Sequence, residues 1–231
     1  GMNRETPVLG RVPLVAVAGH PNAGKTSLFN ALTGTRQKVG NYPGVTVERT
    51  SARIALPSGA AADLLDLPGA YSLSPRSPDE AVTRDALLGA LPGESRPDLV
   101  LAVLDATSLA IHLRFLLEIQ GLGLPVVVAL NRVDMAARDG TRIDSAALAE
   151  RLGVPVVETV AVRKKGLDAL LAAVADGLAQ PVAAARASAR PLRQLAREAR
   201  ALARDVTVEQ GVARGLTDRI DAVVLHPLVG P

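Results

Sequence analysis

The sequence predicts an α/β protein built on a doubly wound, mostly parallel sheet. Three observations carry this. Two continuous apolar runs, Leu99 to Asp105 and Pro125 to Asn131, end in polar residues, as buried parallel strands do. Helical patterns at 109–120, 145–152 and 167–178 alternate with such runs. A glycine-containing loop at 19–24 separates a Val-rich run from a further helical pattern. In a sheet of this kind, ligands are expected at the carboxyl ends of the strands.

Taken in order, Val12 to Ala18 reads as the first strand and Leu28 to Leu32 as the opening of the first helix. Arg53 to Leu56 and Ala62 to Leu67 flank Pro57-Ser58-Gly59, a turn signal that makes them a hairpin. Glu80 to Leu88 is helical, and Val154 to Val160 supplies a last strand before the helix at 167–178. The main domain is therefore expected over 12–178, with a small helical appendage over 183–231. In that appendage Pro191 to Val206 is amphipathic. Arg190, Arg193, Arg197, Arg200 and Arg204 fall on one face, and Leu192, Leu195, Ala199 and Leu202 on another, expected to pack on the main domain. A second short helix is expected near 218–225.

Composition narrows the function. The chain has no cysteine, which removes disulfides, thiolate metal sites and cysteine nucleophiles. Its net charge is +3, and residues 186–231, with eight arginines against five acidic residues, hold that excess. The rest is close to neutral and aromatics are only 2%, so no nucleic-acid partner is expected. The longest apolar runs fall far short of a membrane span, so the polypeptide itself is expected to be soluble. His20, His112 and His226 lie far apart in the chain, and no iron site is expected.

The chemistry collects at strand ends. Gly19-His20-Pro21-Asn22-Ala23-Gly24-Lys25-Thr26 fits a phosphate-binding loop between strand and helix. Its glycines let backbone N–H groups approach phosphates, Lys25 reaches the β/γ oxygens, and the Thr26 hydroxyl can ligate Mg²⁺. Asp66-Leu67-Pro68-Gly69 offers a carboxylate to Mg²⁺ through water and an N–H from Gly69 to a γ-phosphate. In Asn131-Arg132-Val133-Asp134, the Asp134 carboxylate can accept both adjacent donors of guanine, which adenine lacks. Asn131 would brace that loop and touch the base edge, the Arg132 stem would cover a ring face, and Ala161 would offer its N–H to guanine O6. The Gly- and Pro-containing segment Val39 to Glu48 reads as a mobile loop, with Thr46 closing on Mg²⁺ and the γ-phosphate.

At this point the chain resembles a known family. The run Gly19 to Gly34, the segment Gly40-Asn41-Tyr42-Pro43-Gly44-Val45-Thr46-Val47-Glu48, the segment Asp66-Leu67-Pro68-Gly69-Ala70-Tyr71-Ser72-Leu73 and Asn131 to Asp134 are similar to the cytosolic GTPase domain of the FeoB family of bacterial ferrous-iron transporters. The likeness covers roughly 12–178 and returns at 216–231. It implies a Ras-like P-loop GTPase fold binding GTP or GDP, with Gly19, Asn22, Ala23, Gly24, Lys25, Thr26, Ser27, Gly44, Val45, Thr46, Asp66, Gly69, Asn131, Arg132, Asp134, Val160 and Ala161 around the nucleotide. Asn22, Lys25, Thr46 and Gly69 would serve hydrolysis. Thr26, Thr46 and Asp66 would hold Mg²⁺; Asn22 and the carbonyls of Gly40 and Tyr42 would hold K⁺.

The resemblance further implies a covalently attached polytopic permease, a place at the cytoplasmic face of the bacterial inner membrane, and possible self-association. Function would be a GTP-hydrolysing switch that gates ferrous-iron uptake. The alternative is a soluble GTPase of RNA modification or ribosome assembly. Gly69 is followed by Ala70 and Tyr71, where Ras-like enzymes place a water-orienting glutamine, so intrinsic hydrolysis is expected to be slow and K⁺-stimulated. Three departures stand out: His20 for the common Asn, Val160 for the common Ser, and a helical region shorter than the family's usual one.

Overall fold

A computed structural model describes residues 10–180 and 190–209. Seven strands form one sheet: β1 (Leu14–Gly19), β2 (Gln37–Asn41), β3 (Glu48–Ala55), β4 (Ala61–Asp66), β5 (Leu99–Asp105), β6 (Val126–Asn131) and β8 (Val156–Thr159). Their order is β2-β3-β4-β1-β5-β6-β8, antiparallel at β2–β3 and β3–β4 and parallel elsewhere. A separate antiparallel pair joins β7 (Thr141–Ile143) to β9 (Thr207–Glu209). The helices are α1 (Lys25–Thr33), α2 (Pro78–Leu88), α3 (Leu109–Gln120), α4 (Val133–Arg138), α5 (Ser145–Leu152), α6 (Leu167–Ala179) and α7 (Leu192–Val206).

The continuous apolar strands follow from burial on both faces. Side chains alternate along a strand. Val15, Val17, Leu99, Leu101, Val103, Val127 and Ala129 therefore face one layer, with Leu28 and Phe29 of α1 and Leu170 and Val174 of α6. Ala16, Ala18, Val100, Ala102, Leu104, Val128 and Leu130 face the other, where α2, α3, α5 and α7 pack. Each fully buried Val or Leu contributes about 1.5–3 kcal/mol of transfer free energy.

Local signals set the helix ends. Ser77 caps α2 by accepting the Glu80 N–H at 3.1 Å, with Pro78 at the first helical position. Asp144 caps α5 by accepting the Ala147 N–H at 3.0 Å. Glycines Gly89 and Gly153 close these two helices in left-handed conformation.

Three features differ from the sequence expectation. The segment Val39 to Glu48 is not a loop throughout: β2 runs to Asn41 and pairs Val39 with Thr50 and Asn41 with Glu48. An edge strand needs only its backbone for the ladder, so its glycine is tolerated; the open turn begins at Tyr42. The short elements α4, β7 and β9 carry too little periodicity to be read from sequence. Leu192, expected in the packed face of α7, is 40% exposed, being the first residue of the helix. The packed stripe is Leu195, Ala199, Leu202, Ala203 and Val206, set against α3 and α5. The expected helix near 218–225 lies outside the described residues.

Candidate nucleotide site

The loop after β1 and the first turn of α1 form the centre of the site. Ala23 is buried and donates its N–H to the His20 carbonyl at 3.2 Å, closing the loop on itself. Gly24 has φ 81°, and a Cβ there would lie 2.3 Å from Asn131 Nδ2, so only glycine fits. Lys25 is 5% exposed and forms an ion pair with Asp66 at the end of β4. Burial pushes the Asp66 carboxyl up, and the contact with Lys25 offsets part of that rise. Thr26 and Ser27 are exposed on the first turn of α1, and the Asn22 side chain is exposed on the loop before it.

The segment after Asp66 lies directly on this loop. A Cβ at Gly69 would fall 2.7 Å from Pro21 Cα, and Ala70 donates its N–H to the Gly19 carbonyl at 3.1 Å. The Gly69 N–H has no hydrogen-bond partner among the described residues. Thr83 of α2 fixes the turn by donating to the Pro68 carbonyl at 2.6 Å.

A third loop, after β6, is tied to both. Asn131 is 2% exposed, and its Nδ2 donates to the Ala23 carbonyl at 3.2 Å. Its Oδ1 accepts from Thr159 Oγ1 and from the Ala161 N–H, each at 3.1 Å. One amide thus joins the phosphate loop, β6 and the end of β8. The Ala161 N–H, expected to face a base, is engaged by Asn131. Val160 beside it is buried and donates its N–H to the Lys165 carbonyl at 3.1 Å. Asp134 sits in the first turn of α4, 3.7 Å from Arg138 one turn on. Arg132, with φ 63°, donates to the Asn22 carbonyl and to Asp105 Oδ2, the latter at 2.6 Å. Its guanidinium is therefore committed to protein partners, while its Nε lies 3.6 Å from where a Gly24 Cβ would be.

The family described as ferrous iron transport protein B matches residues 14–174. The chain belongs to this family. The Fe(2+) transporter FeoB of Salmonella typhimurium is 44% identical over 164 residues, covering 69% of this chain and 20% of that protein. The cytosolic domain of T. maritima FeoB in a GDP form is 41% identical with TM-score 0.69, covering 74% of this chain and 65% of that one. The T. maritima FeoB G domain is 43% identical with TM-score 0.66, covering 74% of this chain and all of that one. The chain spans about a fifth of the length of the curated relatives it matches. Its fold is the Ras-like G domain of FeoB followed by a short helical part, and the family does not favour the RNA-related alternative.

Within this FeoB-type domain, Gly40 lies in β2, while Gly44, Val45 and Thr46 are exposed in the turn that follows. Tyr42 is buried; its carbonyl accepts the Val45 N–H at 3.3 Å and its N–H donates to the Val47 carbonyl at 3.0 Å. Burial pushes the Tyr42 phenol up. Among the described residues no hydrogen bond joins Thr46 to Lys25, Thr26 or Asp66. The turn instead lines a shallow depression with Pro78 of α2. Thr46 is thus not hydrogen-bonded to the phosphate loop or to Asp66 in this conformation.

His20 and His112 are distant in sequence but stacked in the fold, next to Phe115 and edge-on to Tyr71. Burial lowers the His20 imidazole to about 4, with His112 and Arg114 adding to the effect. Tyr71 is half exposed; Glu80 Oε2 accepts its N–H at 3.0 Å, and its carbonyl accepts from Arg114 at 3.1 Å. Glu118 accepts from Ser72 Oγ at 2.7 Å and from the Leu73 N–H at 3.1 Å. Sequence reasoning missed Asp105, Thr159, Glu80 and Glu118 as supports of the site. The only signal for Asp105 and Thr159 was a polar residue closing an apolar strand.

Proposed function

We propose that this chain is the guanine-nucleotide switch domain of a ferrous-iron transporter, binding GTP and GDP and hydrolysing GTP slowly. The observation that carries this reading is the Asn131 amide, which ties the phosphate loop at Ala23 to the base-side loops at β6 and β8. Solved FeoB relatives in GDP form support it.

The roles follow from chemistry. Lys25 and the N–H groups opening α1 bind and orient the phosphates. Asp134 accepts both donors of the guanine edge, and Arg132 lies alongside the ring. The Gly69 N–H is available to a γ-phosphate oxygen. Thr26 and Asp66 suit Mg²⁺: an exposed hydroxyl stands on the first turn of α1, and a carboxylate is already held in contact with Lys25. Bound there, Mg²⁺ supplies positive charge to the β/γ oxygens. Asn22, with the carbonyls of Gly40 and Tyr42, would be the donor set for K⁺. Ala70 and Tyr71 offer no amide to orient water, so turnover is slow without such a cation.

In the full-length protein the domain would sit at the cytoplasmic face of the membrane and act on an attached permease. Calorimetric titration of the chain with GDP and ADP tests the nucleotide reading. Binding of GDP with ADP at least about a hundredfold weaker is expected from the loss of a buried two-point hydrogen bond. Equal affinities, or wild-type GTP turnover in Lys25→Ala, would overturn it.

A further inference from the structure

Asp105 has no role in the reading above, yet it is a buried carboxylate at the end of β5, linked to the phosphate loop through Arg132. Burial alone would raise its pKa. Hydrogen bonds from Thr107 and the Arg132 guanidinium outweigh that and hold it below the ordinary carboxylate range. Its two oxygens are divided. Oδ1 accepts the Thr107 N–H at 2.8 Å and the Thr107 hydroxyl at 2.6 Å, so the turn following β5 fixes the carboxylate. Oδ2 is left for Arg132 Nη1 at 2.6 Å. The same Nη1 donates to the Asn22 carbonyl.

The backbone agrees with this arrangement. Asp105 and Asn131 are register partners across β5 and β6, so Arg132 begins its path beside Asp105. Arg132 is one of two non-glycine residues at positive φ among the described residues. That conformation is unfavourable for a residue with a Cβ and is kept where surrounding contacts fix it. Here it turns the side chain back from α4 toward the phosphate loop.

We infer that Asp105 is a positioning residue of the nucleotide site: by holding Arg132 Nη1 on the Asn22 carbonyl, it locks the base loop to the phosphate loop so that both release GDP together. The inference rests on the guanine-nucleotide reading. Asp105 acts only through Arg132, and this separates it from a residue that merely caps the turn at Ala106–Ser108.

The test is a double-mutant cycle read as GDP release. Stopped-flow dissociation of a fluorescent GDP analogue is measured for wild type, Asp105→Asn, Arg132→Ala and the double variant, with melting temperatures alongside. Asp105→Asn should speed release about tenfold, the worth of one charge-assisted hydrogen bond. In the Arg132→Ala background the same change should alter release by less than about twofold, because the partner is gone. Equal acceleration in both backgrounds, or none in the wild-type background, overturns the inference. Should Asp105→Asn fail to fold, Thr107→Val replaces it, removing one hydrogen bond that aims the carboxylate. Its effect should be smaller and equally dependent on Arg132, and independence from Arg132 overturns the inference. Wild-type protein that binds no GDP would overturn the underlying reading, and this inference with it.

Discussion

His20 stacks on His112 with ring centroids 4.2 Å apart and planes inclined at 29°. One imidazole comes from the phosphate loop and the other from α3. Nε2 of His20 and Nδ1 of His112 are buried without a hydrogen-bond partner among the described residues.

This pair makes stability depend on acid. Burial lowers the His112 imidazole below its ordinary value of 6.5, with Arg132 adding to the fall and Asp105 opposing it. The unfolded chain therefore takes up a proton first as pH drops, so stability is lost as pH falls below about 6.5. The variant His112→Leu removes the titrating group and one unsatisfied buried nitrogen. Its melting temperature should equal or exceed that of wild type at pH 5, with a smaller gap at pH 8. A wild-type protein whose melting temperature holds up better than the variant's on acidification would contradict the burial argument.

The packing of α7 predicts a contrast within one helix. Leu202 is buried against the main domain, whereas Leu192 is largely exposed. Leu202→Ala should cost about 2–5 kcal/mol by urea unfolding, and Leu192→Ala about 0.5 kcal/mol or less. Similar losses at both positions would mean that the helix docks through another face.

Much of this was legible because the relevant residues close strands. Asp66 and Asn131 each end an apolar run, and the glycines of the phosphate loop stand between a strand and a helix pattern. Asp105 ends a run in the same way, but a single carboxylate there reads like any strand terminus. Only the fold brings Arg132 to it. The His20–His112 stack is likewise a product of topology, since β1 and α3 are distant in sequence. The strand β2 escaped notice because an exposed edge places little demand on side chains. The pairing of β9 with β7 rests on three residues on each side, too few for any period to show.

The proposed cation role of Asn22, whose side chain is exposed, would make turnover potassium-dependent. GTP turnover in KCl should exceed turnover in NaCl at equal ionic strength. Asn22→Ala should remove that difference while leaving GDP affinity within about threefold, because the Arg132 contact uses the Asn22 backbone and survives the change. Equal rates of the wild type in both salts would leave Asn22 without a cation role.

Exchanging the Asp134 carboxylate for an amide probes its proposed recognition of guanine. Asp134→Asn puts an amide donor opposite the guanine 2-amino group, where xanthine instead presents a carbonyl acceptor, while the amide oxygen can still accept N1–H from either base. Paired titrations of wild type and Asp134→Asn with GDP and XDP should show preference reversing, with GDP binding weakened at least about a hundredfold by the mismatched buried pair. An Asp134→Asn protein that still prefers GDP to XDP by the wild-type ratio would contradict the account.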